Sequence, residues 1–288
     1  MIDPDAGLRF SIFPADGRWK IETSALTVCS EDNFVVYWRD HDIPSQPSTE
    51  SLNNSVMAEE ALAFLNGWIS FLAPDRCLDH PMRHYLFDNK LIQAALARKV
   101  GLRVPNSLAT NIPSDLRSFL LHSKSVSKLM SNVSFIALDC AGEFIYTSTI
   151  PQDYLAFVED VRCCPTYIQQ LIDKVADVRV TVVGRQLFSA ITIPENSGVP
   201  SIDFREIVNL PACTHVLPSD IETAILRLMD EMSVEFAAID LGMTADGSYY
   251  FFEANITGNW LWIEQEASLP ISAAIAQRLE SMCNIARL

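Results

Sequence analysis

Glycine is scarce in this chain, with ten residues among 288. None of them forms the G-x-x-x-x-G-K-[ST] or G-x-G-x-x-G pattern, whose backbone amides cradle phosphate groups in many nucleotide-binding proteins. The metalloprotease pattern H-E-x-x-H and the hydrolase pattern G-x-S-x-G are absent as well. These absences argue against the common P-loop, Rossmann, zincin and serine hydrolase sites.

Basic residues are also few, with 21 Lys and Arg against 36 Asp and Glu and a net charge of −15. This balance argues against nucleic acid and anionic membrane surfaces as partners. No apolar run approaches the ~20 residues of a membrane span, and the acidic start, Met1-Ile2-Asp3, lacks the features of a secretion signal. Seven scattered cysteines, an odd number, predict reduced thiols. We therefore expect a cytoplasmic protein.

Hydrophobic residues make up 49% of the chain, enough for a substantial core. Helical patterns predict helices over residues 55–72, 83–100, 152–161, 219–232 (opened by a capping box) and 271–283. Alternating or short apolar runs predict strands over 33–39, 126–130 and 167–172, and hairpins over 133–150, 178–193 and 234–254. This mixture predicts an α+β fold.

The last hairpin carries the clearest chemical signal. Alternate residues of a strand share a face, which groups Glu253 with Phe251 and Asn255, and folding at the turn brings Asp240 opposite Glu253. Like charges opposed in a sheet are unfavourable unless another group intervenes. Two carboxylates and an amide oxygen form a hard-oxygen site suited to Mg²⁺. The alternative is an acidic strand end that faces water.

Three basic residues interrupt apolar stretches elsewhere: Lys128, Arg179 and Arg205. A cation is costly in such a stretch unless it is paired. Cationic groups on several strands, opposite a carboxylate metal site, are suited to a triphosphate. Taken singly, each is also consistent with a surface residue whose stem covers apolar neighbours.

Several segments occur in a characteristic order: Asn89-Lys90, Ser127-Lys128, and residues 167–174, 177–184, 236–241 and 251–258. In this order they resemble the ATP-grasp ligases. Residues 98–111, 144–147 and 259–264 resemble, more narrowly, the graspetide synthetases, the microviridin-type enzymes that cross-link ribosomal peptides. The resemblance covers about residues 83–280.

The resemblance implies an ATP-grasp fold in which two α+β subdomains clamp ATP. It implies a small N-terminal pre-grasp domain over residues 1–105, a central lid subdomain over 106–172 and a C-terminal subdomain over 173–288.

Roles for individual residues also follow from the resemblance. It implies ATP-binding residues in the hinge and beside the phosphates: Lys90, Lys128, Gln169, Gln170, Leu171, Ile172 and Lys174. It implies magnesium ligands at Asp240, Glu253 and Asn255. Arg179 and Arg205 match catalytic arginines near the transferred phosphate and the acyl phosphate.

The activity implied is an ADP-forming ligase that uses ATP and Mg²⁺. It activates Asp or Glu side chains of a precursor peptide, leader plus core, as acyl phosphates and forms ester or amide cross-links; a homodimer is compatible with this. Two alternatives stay open. One is a glutamate-adding or amino-acid ligase of the same fold with a small substrate, and the other is a catalytically silent module that only binds a peptide.

Overall fold

The computed structural model describes residues 9–39, 52–130, 147–193 and 211–285. The chain divides into two compact units, one formed by Met1–Met82 with Ile275–Leu288 and the other by Arg83–Ala274. The three-part division expected from the sequence stays a prediction. Within the described ranges, no helix combines the length and apolarity that crossing a membrane requires.

The first unit contains a small antiparallel sheet and one long helix. Its elements are β1 (Arg9–Phe13), β2 (Arg18–Glu22), β3 (Thr27–Cys29) and α1 (Leu52–Ile69). The strands pair in chain order. Trp19 of β2 packs edge-on against Trp68 of α1, with ring centroids 5.6 Å apart, and both are buried in the core of this unit.

The prediction of a strand over residues 33–39 was wrong. Only Val36 makes a β-bridge there, to Cys77, although its aromatic neighbours Phe34 and Trp38 pack against the core. An apolar run indicates that a segment is buried, and an irregular segment can be buried as fully as a strand. Strands β1, β2 and β3 were not predicted. Helix α1 begins and ends three residues earlier than the helix predicted over residues 55–72.

The remaining helices and strands run from α2, which begins in the first unit, to α7, whose residues after Ala274 belong to the first unit; all the others lie in the second unit. They are α2 (Pro81–Phe87), α3 (Lys90–Lys99), β4 (Ser107–Thr110), α4 (Pro113–His122), β5 (Ser125–Lys128), β6 (Ser148–Thr149), β7 (Thr166–Gln170), β8 (Lys174–Val183), β9 (Gln186–Thr192), β10 (Ala212–Thr214), α5 (Ser219–Met232), β11 (Phe236–Thr244), β12 (Tyr249–Asn255), α6 (Leu261–Ala267) and α7 (Ile271–Ile285).

The single helix predicted over residues 83–100 is two helices. The side chain of Asn89 accepts hydrogen bonds from the backbone N–H groups of Leu91 and Ile92, at 3.0 and 3.3 Å. Asn89 is therefore the N-cap of α3, and Lys90 becomes the first residue of a new helix. The cap fixes the direction in which α3 starts.

Two antiparallel sheets organise the second unit, in the orders β4-β7-β5-β6 and β10-β9-β8-β11-β12. One face of the five-stranded sheet, its core face, buries Val180 of β8 and Ile239 of β11 with Leu228 and Met232 of α5. Burying each such side chain stabilises the fold by about 1.5–3 kcal/mol. The opposite face, called the site face below, carries the charged residues.

Two predictions of local structure need correction. The helix predicted over residues 152–161 is a pair of short 3₁₀ helices, Gln152–Ala156 and Val158–Cys163. The capping box at Ser219 does not form: α5 begins there as predicted, but the cap residue is Pro218, and it makes no side-chain hydrogen bond.

Most of the predicted hairpin over 133–150 lies outside the described residues.

The two predicted hairpins of the large sheet are confirmed, as β8–β9 and β11–β12. Gly184 and Gly247 supply the positive φ angles, 60° and 78°, that their turns require. Asp246 closes the second turn by accepting hydrogen bonds from the Thr244 hydroxyl and from the backbone and hydroxyl of Ser248. The bond from Thr244, followed by those from Ser248, lowers the pKa of Asp246.

Gly258 lies against the site face in the segment after β12. A Cβ built there would come within 2.5 Å of the Ala238 Cβ and 2.9 Å of the Asn255 Cβ. Neither atom can rotate away, so we predict that Gly258→Ala lowers the free energy of unfolding by about 1–3 kcal/mol, measured by urea denaturation. Gly67→Ala is the matched control, because Gly67 lies on α1 with nothing within 4 Å.

Replacing glycine by alanine within a helix removes chain entropy from the unfolded state, so Gly67→Ala is expected to stabilise by about 0.5–1 kcal/mol. A Gly258→Ala protein as stable as the parent would contradict the close packing.

Candidate active site

Three adjacent strands of the five-stranded sheet align charged residues in one row. Asp240 on β11 is paired in register with Glu253 on β12 and, on its other side, with Arg179 on β8. The predicted approach of Asp240 to Glu253 across the hairpin is therefore confirmed.

Each carboxylate of this row has a cation beside it. Nη1 of Arg179 donates to Oδ1 of Asp240 at 2.6 Å, and Nζ of Lys90 lies 3.4 Å from Oε2 of Glu253. The four side chains are only 9–17% exposed. The alternative of an acidic strand end facing water does not fit this burial.

Arg179 also joins the row to the segment after β12. Its Nη2 donates to the carbonyl oxygen of Asn259 at 3.0 Å. Asn255, the third predicted metal ligand, donates from Nδ2 to Oε1 of Glu253 at 3.3 Å. The three predicted ligands therefore lie together on the site face, with the chain returning over them at Gly258.

A β-bulge shapes this end of the hairpin. The register shifts between Asp240, opposite Glu253, and Leu241, opposite Phe251, so Phe252 is the extra residue. Strict alternation predicted that Phe251 shares a face with Glu253, and this was wrong, because Phe251 lies in the core. The bulge adds one residue and so reverses the alternation.

The bulge leaves Phe252 on the site face between two predicted nucleotide-binding lysines. Nζ of Lys128 lies 4.8 Å from the centre of the Phe252 ring, and Nζ of Lys174 lies 5.7 Å from it. The ring occupies the space above Gly242, where a Cβ would come within 2.6 Å of it. Cations at these distances are attracted to the ring face.

Lys174 has a second partner in Asp177, with which it forms a salt bridge at the start of β8. Both side chains are nearly buried, at 14% and 10% exposure. Asp177 and Arg179 are two residues apart on one strand and therefore share the site face. The phenyl ring and this carboxylate together hold Lys174 beside the row of charges.

The predicted hinge connects β7 to β8. Its backbone is partly engaged within the protein, because the N–H of Gln170 donates to Asn106 O at 2.7 Å and the N–H of Leu171 donates to Lys124 O at 2.8 Å. The carbonyl of Ile172 accepts from the N–H of Lys174. Gln169 is buried within the four-stranded sheet. The adenine contact assigned to these residues stays a prediction.

Arg205 lies outside the described residues, and its predicted role stays a prediction. In the part of the chain that the structure does describe, no group of three or more His, Cys, Asp and Glu residues could hold a metal. The predicted metal ligands include two carboxylates, Asp240 and Glu253, so any bound metal needs further ligands from amide oxygens, water or substrate.

The fold of this chain is similar to that of several solved structures. No family model and no curated protein sequence matches the chain. The macrocyclase MdnC from Microcystis aeruginosa MRC, bound with its precursor peptide MdnA, superimposes with a TM-score of 0.82 at 24% identity, over 96% of this chain and 88% of that chain. A Chryseobacterium gregarium RiPP-associated ATP-grasp ligase, in complex with ADP and a leader and core peptide, gives 0.82 at 27% identity, over 95% and 84%.

A third structure, the ATP-grasp ligase PsnB complexed with a minimal precursor, Mg and ADP, gives a TM-score of 0.73 at 18% identity, over 98% of this chain and 87% of that chain. The chain has the ATP-grasp fold. The fold class predicted from the sequence is confirmed, and so is the resemblance to the peptide-modifying members of that fold.

Two residues of this candidate site were not predicted from the sequence, Phe252 and Asp177. Phe252 was placed on the opposite face because the bulge is not visible in the alternation. Asp177 carried a usable signal, since a carboxylate before the apolar run of β8 needs a partner when it is buried. Gly242, which breaks the apolar pattern of β11, signals a close approach by another group.

Arg179 allows a direct test of how strongly the ATP-grasp site depends on its paired charges. Replacing it by Met leaves Asp240 nearly buried without its guanidinium partner. We predict that Arg179→Met lowers the free energy of unfolding by about 3–5 kcal/mol, measured by urea denaturation without nucleotide or divalent metal. Adding Asp240→Asn is expected to restore part of this loss, because it removes the carboxylate charge that the Arg179 guanidinium had balanced.

The control is Arg185→Met, because the pair of Arg185 with Asp230 has the same 2.6 Å distance but side chains 61% and 62% exposed. Exposed pairs contribute little, so a change below about 1 kcal/mol is expected. Equal effects of the two substitutions would show that burial of the Arg179 pair is unimportant.

Proposed function

We propose that this protein is an ATP-dependent, ADP-forming ligase that activates Asp or Glu side chains of a precursor peptide and joins them to hydroxyl or amine groups of that peptide. The observation that carries the proposal is the in-register row of Arg179, Asp240 and Glu253, completed by Lys90. It gathers cationic side chains and a carboxylate pair at one point of an ATP-grasp fold, and phosphoryl transfer depends on cations positioned around the phosphate oxygens.

Peptide as the substrate is supported by two of the structural neighbours. MdnC is bound with a precursor peptide, and the Chryseobacterium ligase is in complex with ADP, a leader and a core peptide. Both cover at least 95% of this chain. The alternatives of a small-molecule ligase and of a silent binding module have no comparable support.

Asp240, Glu253 and Asn255 are the residues we assign to Mg²⁺. Magnesium usually takes one or two carboxylates from a protein and completes its shell with water and substrate phosphates, so a carboxylate pair with an adjacent amide fits it. When bound, Mg²⁺ would neutralise charge on the phosphate oxygens during transfer. The cations beside the two carboxylates support this assignment, because two nearly buried carboxylates attract positive charge.

The lysines and arginines are assigned to the phosphate groups. Lys90 and Lys128 approach the site from α3 and β5, and Lys174 approaches it from the start of β8. Arg179 lies within the row and is assigned to the transferred phosphate. Fixed cations stabilise the charge that spreads over the phosphoryl oxygens without reorganising at the moment of reaction. Arg205 keeps its role at the acyl phosphate as a proposal from the sequence.

The reaction proceeds in two steps. A substrate carboxylate oxygen attacks the γ-phosphorus of ATP, forming an acyl phosphate as the bond to ADP breaks. A hydroxyl or amine of the peptide then attacks the acyl carbon, phosphate leaves, and the nucleophile loses its proton, which gives an ester or an amide. Water must be excluded meanwhile, because it would hydrolyse the acyl phosphate.

We also propose a cytoplasmic location and a homodimer, and we retain a pre-grasp domain, a lid and a C-terminal subdomain as the working division. The location rests on the acidic composition and the odd number of cysteines. Sedimentation of the purified protein measures its oligomeric state.

Glu253→Gln tests the metal assignment. It preserves the size of the side chain but removes one of two carboxylates, so ATP turnover is expected to fall at least about 100-fold while the circular dichroism spectrum is unchanged. The control is Glu280→Gln, the same substitution at an exposed position of α7, which should turn over ATP at the parent rate. Near-parent turnover in Glu253→Gln would remove this residue from the metal site.

The products of the reaction test its type. With a peptide substrate present, each cross-link formed is expected to consume one ATP and to release one ADP and one phosphate, because the carboxylate attacks the γ-phosphorus. Phosphorus NMR of the reaction measures these products together. Appearance of AMP and pyrophosphate would indicate an adenylating enzyme and contradict the acyl phosphate.

A further inference from the structure

Gln93 is a polar residue buried on α3, only 2% exposed, that the assignment of site residues does not use. Its Nε2 donates to the carbonyl oxygens of Phe87 and Ala254, at 2.7 Å each, and its Oε1 accepts from the N–H of Ala254 at 2.9 Å. One amide group therefore joins the end of α2, the middle of α3 and the strand β12.

Ala254 lies on an edge strand, because β12 is last in the order of the five-stranded sheet. The outer backbone groups of an edge strand have no neighbouring strand to bond. By bonding both the N–H and the C=O of one residue, Gln93 reproduces the two-bond pattern of an antiparallel hydrogen-bonded pair. The amide substitutes for a sixth strand at this position.

This contact lies between the groups assigned to metal and phosphate. Ala254 is flanked by Glu253 and Asn255, and Gln93 is three residues after Lys90 on the same side of α3. Lys90 reaches back to Glu253 at 3.4 Å. The helix and the strand that carry this ion pair are thus joined one turn away by two hydrogen bonds, and a third holds Gln93 to the end of α2.

We propose that Gln93 is a positioning residue that sets the spacing between Lys90 and the Glu253–Asn255 end of β12, and through it the affinity for Mg²⁺ bound with nucleotide. This inference rests on the proposed function. Hydrogen bonds to residues that hold a metal ligand in place affect metal affinity as well as activity.

The chemistry of the amide explains why glutamine is suited to the position. It offers donors to two carbonyls and an acceptor to one N–H at the same time. Glutamate has the same shape, but its carboxylate accepts only and would face the Phe87 and Ala254 carbonyls. Methionine has a similar length but provides no N–H donor, and all three backbone groups would lose their partner.

The test compares Gln93→Met and Gln93→Glu with the parent protein. Binding of ADP is followed by calorimetry as MgCl₂ is titrated, at a temperature where every variant is folded. Both substitutions are expected to raise the Mg²⁺ concentration for half-maximal binding by about ten- to a hundredfold. In Gln93→Met, the Ala254 amide should also exchange its hydrogen faster, measured by NMR.

Ser189→Ala is the matched control. Ser189 is also buried in the five-stranded sheet and donates to the His215 carbonyl at 2.6 Å, so its removal costs a buried hydrogen bond on β9 while leaving the residues assigned to the site unaltered. Its Mg²⁺ dependence is expected to match the parent.

An unchanged Mg²⁺ dependence in both Gln93 variants, or an equal loss in Ser189→Ala, would overturn the positioning role. A parent protein that binds no Mg–ADP would instead overturn the proposed function, and this inference with it.

Discussion

Asp240 and Glu253 face each other on neighbouring strands, where opposed side chains are about 5 Å apart and like charges repel. Two cations of the second unit offset this repulsion. Arg179 lies on the next strand, and Lys90 lies at the start of α3. Removal of either cation would leave a nearly buried negative charge, which is costly. The requirement for positive charge beside two carboxylates is therefore what this site depends on.

The same requirement relates the site to its proposed chemistry. A position that holds two carboxylates, an amide and several ammonium or guanidinium groups can exchange one cation for another. In the structure the cations beside the carboxylates are side chains, and in the proposed reaction Asp240 and Glu253 would also hold Mg²⁺ while the cationic side chains would bind phosphate oxygens. Supporting contacts, such as those of Gln93 with Ala254 and Asp177 with Lys174, keep these groups close together.

Much of the site could be predicted because its charged residues stand within apolar stretches of the sequence. Lys128 and Arg179 interrupt apolar runs of the sequence, and Asp240 and Glu253 interrupt the two strands of one hairpin; such patterns need no knowledge of distant contacts. The two hairpins of the five-stranded sheet followed from alternation and turn residues and were confirmed. The predicted strand over 33–39 was wrong because an apolar run indicates burial without fixing the backbone. The break at Asn89 was missed because the apolar periodicity continues across it.

The sequence by itself determined the α+β class, the two long hairpins and the cross-strand approach of Asp240 to Glu253, since all of these depend on neighbours close in the chain. Only the tertiary structure decided which cation reaches which carboxylate, because α3 and β12 are some 160 residues apart (Gln93 to Ala254 is 161). It also decided the face on which Phe252 lies. One extra residue in a bulge reverses the alternation, and the space above Gly242 for the phenyl ring exists only once the strands are paired.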